Sequence, residues 1–247
     1  KARGLAFMSQ MLHKSPDFRS AFPGITIGIP KTLAVAIDGF ESFIEENHLS
    51  EYLAGGTPDK EIAEVFLASP MPHRLVEKLR VFLAKVNYPL AVRSSSLLQD
   101  AHFNPFVGLY ETYMIPNNNR DPAVNLRHLE AAIKLVYAST CFAAPRTFAK
   151  STKEQPGGDA MAVIIQQIAG ERYGDYFYTS LSGVARCHNF YAVPPMHSDD
   201  GIAFLSLGFG KSGEDGGALR FCPRYPSVLP QFSTVDDIVK NAPRFFY

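Results

Sequence analysis

Apolar residues recur along the chain at two spacings, and the spacing separates helices from strands. Leu5, Met8 and Leu12 stand three and four apart, the stripe of an amphipathic helix. Ile25-Thr-Ile-Gly-Ile-Pro30 alternates and Leu33-Ala-Val-Ala-Ile37 follows it, so each predicts a strand. Asp38 then stands where it can cap a helix whose apolar positions are Phe40, Phe43 and Ile44. After a Gly-Gly loop at 54–59, helical patterns cover 60–68 and 72–86, the second with Leu75, Leu79, Phe82 and Leu83 on one side. These helices are expected to cover a sheet. A dense turn signal, Pro116-Asn-Asn-Asn-Arg-Asp-Pro122, precedes a long amphipathic helix over 124–142 carrying Leu126, Leu129, Ile133, Val136 and Tyr137. Met161-Ala-Val-Ile-Ile-Gln-Gln-Ile168 is short, apolar and rich in branched residues, which predicts a buried strand. Strands are also expected over 176–186 and 188–193. The polar segment 151–159, with Gly157-Gly158, is the expected boundary between 1–155 and 156–247.

The strongest chemical signal lies between these elements. A short apolar run, Pro89 to Val92, leads into a fixed cation, Arg93, and three consecutive hydroxyls, Ser94, Ser95 and Ser96. Arginine offers planar forked donors that match phosphate oxygens, and serine hydroxyls with adjacent backbone N–H groups can complete an anion nest. Fifteen residues on, Gly108 lets the backbone approach a ligand closely, and Thr112 follows four later. The residues alone leave two readings open: a phosphate clamp, or an exposed serine-rich turn whose arginine sits in a surface ion pair. Gln166, inside the apolar run, must satisfy its amide, either as a structural hydrogen bonder or as a reader of a polar ligand such as an adenine edge.

Composition narrows the function. Basic and acidic residues both total 24, so there is no net field to attract nucleic acid or an anionic membrane. No run of 18 apolar residues and no leader pattern occurs, so no membrane span is expected. Three scattered cysteines, Cys141, Cys187 and Cys222, form neither a disulfide framework nor a zinc motif, which suits a reducing cytoplasm. The seven histidines form no metal-ligand spacing. Gly210-Lys211-Ser212 imitates the end of a phosphate-binding P-loop, but the required first glycine falls at Leu205 and no helix pattern follows, so that site is rejected. A first residue that is not methionine, together with the apolar end Phe245-Phe246-Tyr247, suggests an excerpt of a longer polypeptide.

Val92-Arg93-Ser94-Ser95-Ser96, then Gln99-Asp100, then Phe106-Val107-Gly108-Leu109-Tyr110-Glu111-Thr112-Tyr113 resembles the nucleotide-binding signature of the pyruvate phosphate dikinase and phosphoenolpyruvate synthase family. Gln99, Pro105 and Leu109 depart from that pattern. The resemblance runs in order from Lys1 through Gly217. It implies an α+β, ATP-grasp-like fold of two subdomains with mainly antiparallel sheets and flanking helices, holding ATP between them. It further implies that Lys1, Arg93, Gly108 and Thr112 meet the nucleotide phosphates, Arg93 with a catalytic part, and that Gln166 lies at the adenine. Ser182-Gly183-Val184 is similar to the family's Ser-Gly-Val-x-Phe segment. The implied activity is transfer of a phosphoryl group from ATP to a histidine on a swivelling domain, with a further domain handling pyruvate and phosphoenolpyruvate. Magnesium is the implied cofactor, its ligands expected outside this chain. A non-catalytic nucleotide-sensing or partner-docking module, or a related dikinase with another final acceptor, is the alternative.

Overall fold

The computed structural model describes residues 1–15, 21–96, 109–152, 160–209, 218–229, 231–232 and 234–241. Two compact units divide between Ile168 and Ala169. Of the segment 151–159, expected as a boundary, Ser151 and Thr152 end a helix and 153–159 lie outside the described residues.

The first unit is a four-stranded antiparallel sheet with helices. Its strands are β1 (Thr32–Val35), β2 (Leu90–Ser95), β3 (Thr112–Ile115) and β4 (Ala162–Gln167), in the order β1-β4-β2-β3. The helices are α1 (Ala2–Lys14), α2 (Ile37–Glu46), α3 (Ser50–Ala54), α4 (Asp59–Ala68), α5 (His73–Leu83), α6 (Pro122–Ala138) and α7 (Ala143–Thr152). Strand β4 sits between β1 and β2 and pairs with both, so it completes the sheet of this unit. Side chains alternate across a strand, so Leu33, Val35, Leu90, Val92, Val163, Ile165, Tyr113 and Ile115 share one face. That face joins the core together with Phe43, Phe66, Leu79, Leu129, Ile133, Val136 and Tyr137 from the helices. Helix α6 packs on α4, α5, β2 and β3, and α2 packs on β4. Phe43 and Phe40 meet the Tyr137 ring at 5.6 and 5.1 Å, and Phe43 meets Phe66 at 5.7 Å.

Local side-chain chemistry explains where the elements depart from their sequence pattern. The expected strand over 25–30 joins no ladder. Pro30 has no N–H to offer, and pairing starts at Thr32. Ala36 occupies the cap position of α2, and Asp38 sits in the first turn, its carboxylate accepting the Gly39 N–H at 3.0 Å. Asp121 caps α6 by accepting the Ala123 N–H at 2.9 Å, with Pro122 following. The α-helix ends at Ala138 because the Ser139 and Thr140 hydroxyls donate back to the Val136 and Tyr137 carbonyls, both at 2.7 Å. Those bonds compete with the helical ladder, and Ser139–Cys141 tightens into a 3-10 turn.

The second unit holds a hairpin of β5 (Glu171–Tyr173) and β6 (Tyr176–Tyr178), then an antiparallel sheet in the order β7-β8-β9. These last strands are Leu181–Arg186, Ile202–Leu207 and Leu219–Phe221, and α8 (Val235–Asn241) follows. Gly183 lies in β7 where any Cβ would run into the Phe204 carbonyl, so the Ser182-Gly183-Val184 motif does structural work. The strand expected over 188–193 does not form. Asn189 is buried and its side-chain oxygen accepts the Tyr191 N–H at 3.1 Å, a turn that takes this backbone out of a ladder. The whole is α+β with antiparallel sheets, as the sequence resemblance implies.

Candidate functional site

The face of the first sheet turned away from the core carries Thr32 and Ala34 of β1, Ala162, Ile164 and Gln166 of β4, Ala91, Arg93 and Ser95 of β2, and Thr112 and Met114 of β3. Register brings distant parts of the sequence together on it. Arg93 stands opposite Thr112 on one side and Ile164 on the other, while Gln166 stands opposite both Ala91 and Thr32. Directly opposed residues hold their Cβ atoms about 5 Å apart, and long side chains reach the diagonal neighbour. Arg93 makes that diagonal reach: its Nη1 donates to Gln166 Oε1 at 3.4 Å. Gln166 Nε2 in turn donates to Thr32 Oγ1 at 3.2 Å.

Lys1 approaches the same place from the start of α1. Its ammonium donates to the Ser94 carbonyl at 2.8 Å, one residue from Arg93. Lys1 is thus bonded to the β2 residue that follows Arg93. Arg93 is exposed and forms no ion pair with a carboxylate among the described residues. A guanidinium whose protein contact is a neutral amide keeps its remaining donors for an anion.

Of the expected site residues, the structure places Arg93, Thr112 and Gln166 on this face of the sheet, and Lys1 bonds the β2 backbone one residue from Arg93. Gly108 lies outside the described residues, as do Gln99 and Pro105. Ser94 and Ser96 are buried, and Ser94 falls on the core side of β2, so the serine run is not a row of exposed hydroxyls. Thr32 carries no motif in the sequence. It enters the site only through its pairing with Gln166, 134 residues away. A cavity of about 310 Å³ bounded by β1, α2 and α5, with Asp38, Glu46, Arg74 and Lys78 in its wall, includes none of these residues.

Among the described residues no three His, Cys, Asp or Glu side chains cluster as a metal site needs. No described helix is long and apolar enough to cross a membrane.

No curated protein sequence was found to match the chain. The family model described as the pyruvate phosphate dikinase AMP/ATP-binding domain matches residues 1–216. That span contains the whole first unit, the open sheet face and most of the second unit, and the chain belongs to this AMP/ATP-binding domain family.

Proposed function

We propose that the chain is the nucleotide-binding part of an ATP-dependent phosphotransferase of the dikinase class, with the phosphates of ATP held over the open face of the first sheet. Arg93 is the main side-chain phosphate ligand. Lys1, the Thr112 hydroxyl and the Gly108 backbone complete the grip, and Gln166 stands beside it. The observation that carries this reading is the exposed Arg93 opposite Thr112, with a neutral amide and, among the described residues, no carboxylate as its partner. Phosphoryl transfer relies on positioning and on neutralising oxygen charge, and a forked guanidinium supplies both at any working pH.

The phosphoryl group then passes to a histidine on a swivelling domain of the parent chain. Family membership supports this finer reading. The chain's own part is to bind and orient the polyphosphate. Its test is equilibrium titration of the 247-residue chain with a non-hydrolysable ATP analogue. Saturable binding at one site is expected, and its absence overturns the proposal.

A further inference from the structure

Three strands of the open face are tied by side-chain hydrogen bonds that run in one direction. Arg93 Nη1 on β2 donates to Gln166 Oε1 on β4 at 3.4 Å. Gln166 Nε2 donates to Thr32 Oγ1 on β1 at 3.2 Å, and the Thr32 hydroxyl donates to the Pro30 carbonyl at 2.9 Å. Each intermediate group accepts on one side and donates on the other, so the polarity is consistent from guanidinium to carbonyl. The Thr32 proton is committed to Pro30, which leaves its oxygen to accept from the amide. That in turn fixes the amide's orientation and turns Oε1 toward Arg93. Both ends of Gln166 thus engage protein groups.

We infer that Gln166 and Thr32 are positioning residues for Arg93: they hold its fork over the sheet face and act on whatever polyphosphate it grips, irrespective of the base. The inference rests on the reading of Arg93 as a phosphate ligand. A free arginine side chain loses rotamer freedom when it closes on a ligand, and one already tethered loses less, so the tether strengthens binding without touching the ligand. Thr32 suits the task because it lies directly opposite Gln166 in register. Valine would keep the strand and the shape but delete the hydroxyl.

The test uses two probes, a non-hydrolysable ATP analogue and inorganic tripolyphosphate, which has no base. They are titrated into the 247-residue wild type and its Thr32→Val, Thr32→Ser, Gln166→Leu and Arg93→Ala variants, with thermal unfolding as a folding control. Thr32→Val and Gln166→Leu are expected to weaken both probes alike, by about two- to tenfold as befits a neutral hydrogen bond. Thr32→Ser should restore near wild-type affinity with the hydroxyl returned. A loss confined to the ATP analogue means that Gln166 reads the adenine, and overturns the inference. If Arg93→Ala weakens both probes while Thr32→Val weakens neither, the phosphate site stands and the tether falls. If Arg93→Ala binds both probes like wild type, the phosphate site fails and the tether fails with it.

Discussion

One sheet of the first unit presents two faces built from the same four strands, and they have opposite chemistry. On the covered face Leu90, Val92, Val163 and Ile165 are each 0% exposed and Val35 is 7% exposed, all packed with the helices. On the other, Thr32, Arg93, Thr112 and Met114 reach solvent, with only Ala91 and Ile164 buried among them. Strand periodicity alone imposes the division: Arg93 lies between Val92 and Ser94, and Gln166 directly follows Ile165. The lesson is that core packing and exposed polar chemistry are separated here by moving a single residue along a strand.

The comparison breaks most visibly on the covered side. Ile165→Ala should destabilise the first unit by about 2–5 kcal/mol, the range for truncating a buried aliphatic side chain. Urea unfolding would measure it, and a cost near that of a surface change would mean that this face is not the core. On the open side Arg93→Ala should weaken an ATP analogue by roughly ten- to a hundredfold, since hydrogen bonds to charged groups are worth about 1.5–3 kcal/mol. Arg93→Lys should regain only part of that loss, because an ammonium cannot hold two oxygens in a planar fork.

A polar atom placed on the covered side sharpens the contrast. The Tyr137 hydroxyl is buried with no hydrogen-bond partner among the described residues, and burial, with Asp38 adding to it, pushes the phenol far above its ordinary range. Tyr137→Phe should therefore stabilise the unit by about 1 kcal/mol, the lower end of the cost of an unsatisfied buried group. The sign with pH follows from the same shift. The unfolded phenol ionises near its ordinary value of about 10 while the folded one resists, so stability is full below that pH and declines above it. Burial raises Tyr88 and Tyr113 as well, which adds to the decline. Urea midpoints at about pH 8 and about pH 10.5 should differ less for Tyr137→Phe than for wild type. The smallest expected effect is Thr112→Val on the open face. Stability should stay within about 0.5 kcal/mol, while ATP-analogue affinity falls about two- to tenfold.

The covered face was legible in the sequence because burial writes itself into spacing. The short apolar run ending at Ile168 is a buried strand, and Phe40, Phe43, Ile44, Leu129, Ile133 and Tyr137 are core residues as their helical positions require. Element ends were less legible, since they turn on competing local bonds: the hydroxyls of Ser139 and Thr140 shorten α6, and the Asn189 side chain removes an expected strand. Arg93, Thr112 and Gln166 could be picked out as chemistry-bearing residues, but not the contact between Arg93 and Gln166. Thr32 could not be picked out at all, because pairing across 134 residues is a property of the folded sheet.

The division of labour between the faces is tested most directly by calorimetric titration of folded Arg93→Ala protein with a non-hydrolysable ATP analogue, beside its urea unfolding curve. The account predicts affinity down by roughly ten- to a hundredfold with stability changed by about 1 kcal/mol or less. An Arg93→Ala protein that binds the analogue like wild type would contradict it.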